Sequence, residues 1–189
     1  MSPAGRQSAR DTQVALLRGV NVGTAKRVPM AGLRSMVEGL GFADVRTLLN
    51  SGNVVYTARG VAPTEAAARI EQGLVRRLGV SARVFVYTAR EIAEAVSRNP
   101  LVDLCDNPSR MFVAFMATPA HGRKLQPLLK QKWEPEQLSV GKRVAWLWCP
   151  GGLIDSPLMV PVSKTLGDAV TIRNWATVTK LHAMVTGER

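Results

Sequence analysis

Histidine and cysteine are scarce in this 189-residue chain, which holds two of each. Cys105 and Cys149 lie far apart, with no Cys-x-x-Cys spacing. That excludes a disulfide scaffold and leaves a thiol-redox or zinc motif without its usual carrier. The two cysteines are expected to be buried and reduced, although a single bridge is the alternative. His121 and His182 are also distant from each other, and neither sits in a ligand-spaced cluster with Cys, Asp or Glu. No metal site is expected, and no Ser–His or Cys–His pair is motivated. Aromatic residues make up 5% of the chain, little for stacking nucleic-acid bases. No apolar run reaches the roughly 18 residues that a membrane span requires. Residues 1–12 are small and polar, without the apolar centre of a secretory signal, and are expected to form a disordered tail. A cytoplasmic location follows from that reading.

Positive charge is abundant. The 25 Lys and Arg residues outweigh 14 Asp and Glu, giving a net charge of +11 and a pI near 10.6. Such a balance admits a nucleic acid or another polyanion as partner. The cations are spread over both halves, arginine outnumbers lysine, and no basic tail or single dense patch stands out. Hydrophobic residues reach 46%, enough for a sizeable core.

The most informative stretch is Val14-Ala15-Leu16-Leu17-Arg18-Gly19-Val20-Asn21-Val22-Gly23. It reads as a buried strand running into a loop that carries a cation, an amide and two glycines. A helix is expected from Pro29, with Leu33, Met36, Val37 and Leu40 at helical spacing until Gly41. Asp44–Leu49 and Val54–Thr57 read as a hairpin across Asn50-Ser51-Gly52-Asn53. A helix from Pro63 to Gly79 and a strand at Val84–Tyr87 complete the first cycle, with Arg90–Arg98 as an appended helix.

The second half repeats the order. A strand at Met111–Ala117, a helix from His121 to Lys132, and a hairpin across Gly141-Lys142 come first. A helix opened by Asp155-Ser156-Pro157 follows, with Pro161 expected to kink or break it. A strand at Val170–Arg173 and a last helix capped by Asn174 close the chain. The predicted fold is therefore α+β: duplicated ferredoxin-like (βαββαβ) subdomains with mixed or antiparallel sheets and helices on one face. The subdomains are placed at 13–100 and 101–189, either separate or closed into one compact unit.

Four stretches taken together carry a resemblance: Ala15–Gly23, Leu49-Asn50-Ser51-Gly52-Asn53-Val54, Ser163-Lys164 and Thr171-Ile172-Arg173-Asn174-Trp175. In this order and spacing the chain resembles the uncharacterised bacterial family known as domain of unknown function 1697, from about Thr12 to Met184. The resemblance implies a cytoplasmic bacterial protein of two α+β subdomains. It supplies no activity and no catalytic residue.

Arg18, Asn21, Lys26, Asn50, Asn53, Lys164, Arg173 and Asn174 form the candidate ligand-binding set, with Ser51 among them in the turn. Arginine offers a bidentate fork for phosphate or carboxylate, lysine a point charge, and asparagine both donor and acceptor. The set holds no evident base or nucleophile, which suits binding an anion better than moving a proton. The competing structural account gives the same residues turn-shaping, helix-capping and backbone-bracing roles. Gly19-x-x-x-Gly23 is neither Gly-x-Gly-x-x-Gly nor a P-loop, and no cofactor is expected. Lys142-Arg143-Val144-Ala145-Trp146-Leu147-Trp148 faintly mimics an RNA-binding strand, against the simpler expectation that both tryptophans are packed inside.

The leading expectation is a binding protein for an anionic ligand: a nucleotide, a phosphate metabolite or a nucleic acid. The alternatives are an enzyme using the same loops, with Asp155, Ser163 or Lys164 as actors, and an assembly module with an exposed tryptophan face.

Overall fold

The apolar run Val14–Leu17 forms the inner part of strand β1 (Thr12–Leu17), whose middle residues are buried on both sides. The computed structural model describes residues 11–22 and 27–187, so the expected tail up to residue 10, Gly23 and Lys26 lie outside the described residues. Thr12, expected in the tail, belongs to β1. By its internal contacts the chain divides into two units. One takes the chain up to Glu94 together with the stretch from Leu181 onward, and the other is Ala95–Lys180.

In the first unit β1 is followed by helix α1 (Met30–Glu38), strands β2 (Ala43–Leu48) and β3 (Asn53–Thr57), helix α2 (Pro63–Leu78) and strand β4 (Val84–Thr88). The sheet order is β2-β3-β1-β4, and every pairing is antiparallel. Period-2 alternation sends Ala15, Leu17, Val54, Tyr56, Val84 and Val86 into a core with Leu33, Met36 and Val37 of α1 and Ile70 and Leu74 of α2. A Cβ on Gly73 would stand 2.5 Å from the sulfur of Met36, so a side chain there would displace Met36 from the packing of α2 on α1. Pro63 opens α2, where its missing N–H costs nothing. Gly79 closes it at φ +64, with Val80 N–H reaching back to Leu74 O. The other sheet face, with Val14, Leu16, Val55, Phe85 and Tyr87, is buried as well. That explains why these strands read as continuous apolar runs rather than as alternating ones.

Helix α3 (Ala89–Ser97) begins with a capping box. Glu91 N–H donates to Thr88 Oγ1, and Thr88 N–H donates to the Glu91 carboxylate. The second unit then repeats the pattern with β5 (Met111–Met116), α4 (Pro119–Lys124), β6 (Gln137–Val140), β7 (Val144–Trp148), α5 (Met159–Leu166), β8 (Val170–Asn174) and the part up to Lys180 of α6 (Trp175–Thr186). Its sheet order is β6-β7-β5-β8, again antiparallel throughout, so of the two arrangements the sequence allows the described residues form the antiparallel one. Ala114, Met116, Ala145, Leu147 and Val170 pack with Leu125, Leu158 and Val162.

Two helices depart from expectation. Pro127 has no N–H to continue an α-helix, so α4 ends at Lys124 and a 3-10 turn, Gln126–Lys130, takes over. Pro161 neither kinks nor breaks α5, because it falls in the first turn, where its N–H would have no partner inside the helix.

Candidate functional site

The loop that follows β1 is built on Asn21. Its backbone adopts φ +56, a left-handed conformation that asparagine tolerates better than most residues. Its side chain is engaged inside the loop. Nδ2 donates to Val28 O at 2.9 Å and to Asn50 O at 2.7 Å, and Oδ1 accepts from Val28 N–H at 2.8 Å. One amide thus ties the loop's two ends together and fastens both to the β2–β3 turn.

That turn is shaped in a similar way. Asn53 is fully buried, and its Nδ2 donates to Leu48 O and to Ser51 Oγ. Gly52 has φ +72, and its carbonyl accepts from Leu17 N–H at 2.9 Å. A Cβ there would stand 2.7 Å from both Leu17 Cβ and Val20 Cγ2. Arg18, half-buried, donates its backbone N–H to Arg83 O. Arg27 and Arg83 are exposed. The bond to Val28 and the bond to Arg83 bring the backbones of these three arginines to one end of the sheet, near Asn50, and the Arg83 guanidinium lies over the Phe85 ring, 5.8 Å from its centroid. Val22 and Leu49 flank the Asn21–Asn50 link and are 71% and 54% exposed, and Leu49 holds φ +56 despite its bulk.

In the second unit Arg173 lies on β8 opposite Val113. Its guanidinium is buried and donates from Nη1 to Thr171 Oγ1 and Ile172 O. Burial pulls its pKa down to about 10. Asn174 caps α6, accepting from Thr177 N–H at 3.0 Å and Thr177 Oγ1 at 2.7 Å. Lys164, Ser163 and Asp155 are exposed. Within the first unit the structure therefore brings Arg18, Asn21, Asn50 and Asn53 together. Within the second it sets Arg173 and Asn174 side by side on β8 and leaves Lys164 on α5.

Trp146 and Trp148 are 4% and 8% exposed, and Trp146 Nε1 donates to Ala95 O at 2.9 Å. Neither a base-stacking strand nor an exposed tryptophan face is built on them. His121 meets Thr118 Oγ1 at 2.8 Å. Among the described residues no group of three or more His, Cys, Asp or Glu is placed to hold a metal ion. No helix of the described residues is long and apolar enough to cross a membrane.

One polar cluster had no sequence forecast. Glu136, buried to 5% exposure, accepts at Oε2 from Ser156 Oγ and from Leu158 N–H, both at 2.9 Å. Cys149 Sγ donates to Ser156 Oγ at 3.6 Å. Burial, with a smaller contribution from the Glu136 charge, pushes the Cys149 thiol up to about 11 against the opposing pull of the Ser156 bond. Both cysteines are free thiols, and Cys105 is only half-buried, short of the burial expected for it. The Asp155-Ser156-Pro157 cap pattern pointed to Ser156, whose Oγ accepts Met159 N–H as α5 begins. Nothing in the pattern pointed to Glu136.

The sequence model of one family, described as "Protein of unknown function (DUF1697)", matches residues 11–146, well over half of the chain. The chain belongs to this family. Its fold is similar to the solved structure of conserved bacterial protein SP0830 from Streptococcus pneumoniae. The TM-score is 0.70 at 21% identity, over 92% of this chain and 98% of that one. At that identity the likeness carries the fold alone. No curated protein matches the chain.

Proposed function

We propose that this member of the family is a binding protein for an anionic ligand bearing phosphate, and that the ligand sits on the β1–α1 loop of the first unit. The observation that carries the reading is the gathering of the backbones of Arg18, Arg27 and Arg83 beside Asn21, whose amide ties Val28 to Asn50. Arginine forks suit phosphate oxygens. In this reading Arg18 makes the contact, while Asn21, Asn50 and Asn53 position it. Arg173 and Asn174 serve the second unit's own architecture. Two ferredoxin-like units are part of the same proposal, supported by their common element order and common strand order. A cytoplasmic setting fits the two free thiols.

The test is a thermal-shift screen against nucleotides, phosphorylated metabolites and short RNA and DNA, at low and moderate salt. A ligand of the native state raises the melting temperature. The expected result is a salt-resistant rise with one small phosphate compound, abolished in Arg18→Ala and diminished in Arg83→Ala. A rise from nucleic acid alone, fading with salt, would move the ligand from a small molecule to a polyanion. No rise from any of them would overturn the proposal.

A second reading, an interaction module, is favoured by Val22 and Leu49. Exposed apolar side chains beside cations suit a macromolecular partner, and a left-handed leucine is a conformation that function often retains. Leu49→Asn relieves the backbone and removes the apolar contact. It is expected to weaken capture of such a partner without lowering thermal stability.

A further inference from the structure

We propose that β6 is a docking edge at which two copies of this chain join, strand against strand, through the second unit. This edge owes nothing to the arginine loop of the first unit.

The edge of a sheet presents backbone N–H and C=O groups that invite another strand, and folded proteins block it with charges, bulges or covering groups. Three of the four sheet edges carry such a device. The register of β2 is broken by a bulge between Ala43 and Arg46, and Asp44 and Arg46 are exposed. On β4, Val84 N–H donates to Glu71 Oε1 at 2.8 Å and Thr88 N–H donates to Glu91 Oε2 at 2.9 Å. On β8, Ile172 O accepts from Arg173 Nη1 at 2.8 Å. The remaining edge has none of these. Gln137-Leu138-Ser139-Val140 contains no charge and no proline, and its register with β7 runs without a shift.

The hairpin fixes which groups stay open. Gly141 N–H donates to Val144 O, and hydrogen bonding alternates back along the pair from there. Ser139 and Gln137 therefore bond to β7, while Leu138 and Val140 turn their N–H and C=O outward. Among the described residues no other hydrogen bond engages these two. Their side chains pack against the core that holds Leu128 and Leu147, so what the edge offers is backbone.

A second copy fits this edge better than an arbitrary strand does. A two-fold axis at Ser139 sets Leu138 of one copy opposite Val140 of the other, so every outward N–H and C=O finds a partner and the two four-stranded sheets become one. The same antiparallel register lays Glu134–Glu136, which lead into β6, beside Lys142 and Arg143 of the second copy, which follow it. Symmetry repeats that match at the other end. Glu134 and Lys142 are exposed and free to meet. A parallel pairing would set each charge against its own kind.

Sedimentation velocity of the full chain over a range of concentrations, with amide exchange followed by NMR, tests the dimer. A reversible monomer–dimer equilibrium is expected, with a Kd on the order of 100 μM for so small an interface. The Leu138 and Val140 amides are expected to gain protection as concentration rises. Val140→Pro removes an N–H that the monomer's own ladder does not use, which an edge strand tolerates, and should raise the Kd about tenfold. Should that variant fail to fold, the exposed charges decide. Lys142→Glu should raise the Kd about fivefold, and adding Glu134→Lys should restore it. A chain still monomeric at about 1 mM would overturn the dimer and leave the edge to a strand of another protein. Outward amides that exchange alike at every concentration, or a Kd indifferent to the folded variants, would overturn it too.

Discussion

The two units are built to one plan and differ where each first strand ends. In both, the residue closing the strand donates a bond to the neighbouring hairpin: Leu17 N–H to Gly52 O, and Met116 N–H to Arg143 O, each at 2.9 Å. In both, the next residue bonds to the connection before the fourth strand: Arg18 N–H to Arg83 O, and Ala117 N–H to Ala169 O. Beyond this point they diverge. The second unit turns at once into α4 at Pro119, whereas in the first unit α1 begins only at Met30, well after β1 ends at Leu17. Asn21, Gly52 and the left-handed Leu49 belong to that longer construction. Conserving the plan of a sheet needs only an apolar pattern. Fastening the chain after β1 to Val28 and to the β2–β3 turn needs particular residues, so the asymmetry marks where the first unit concentrates its sequence specificity.

Substitution at the two hairpins breaks the comparison most strongly. Gly52→Val combines a positive φ with contacts of 2.7 Å to Leu17 and Val20, and is expected to cost about 3 kcal/mol or more. In the corresponding hairpin a Cβ on Gly141 would stand 3.0 Å from the Trp146 ring, and the backbone there is not left-handed. Gly141→Ala is expected to cost about 1 kcal/mol. Urea denaturation measures both, and equal losses would show that the two turns are under the same constraint. Next in size is Asn21→Ala, which removes three hydrogen bonds and leaves a less tolerant residue at φ +56. A loss of about 2 kcal/mol is expected, with Asn21→Gly recovering the backbone share but not the bonds. Its counterpart in the second unit is Asn174→Ala, the loss of a helix cap, at about 1 kcal/mol.

The strands were legible because two covered sheet faces demand uninterrupted apolar runs such as Met111–Met116. The turn at Asn50–Asn53 was legible because Gly52 takes a left-handed φ that few other residue types adopt. Asn21 was legible as a special position and not as a clamp, since two of its three bonds go to backbone carbonyls, which sequence does not display. Glu136 and Ser156 were invisible as a pair: twenty positions separate them, and only the fold brings the start of β6 beside the start of α5. The His121–Lys132 helix was over-extended because leucine spacing outweighed Pro127, and a ring that cannot donate prevailed over the pattern.

The smallest expected effect falls on Lys164, and it sharpens the asymmetry from the other side. Lys164 shares its charge with the other cations of the candidate set, but it stands exposed on α5, while Arg173 and Asn174 direct their bonds to Thr171, Ile172 and Thr177. An exposed lysine on a helix surface contributes within about 0.5 kcal/mol to stability. Lys164→Ala should therefore leave the urea midpoint unchanged and, in the phosphate-ligand screen, the thermal shift as well. Arg18→Ala should abolish the shift. If Lys164→Ala abolished it too, phosphate recognition would draw on both units, and the longer loop of the first would no longer be the sole seat of binding.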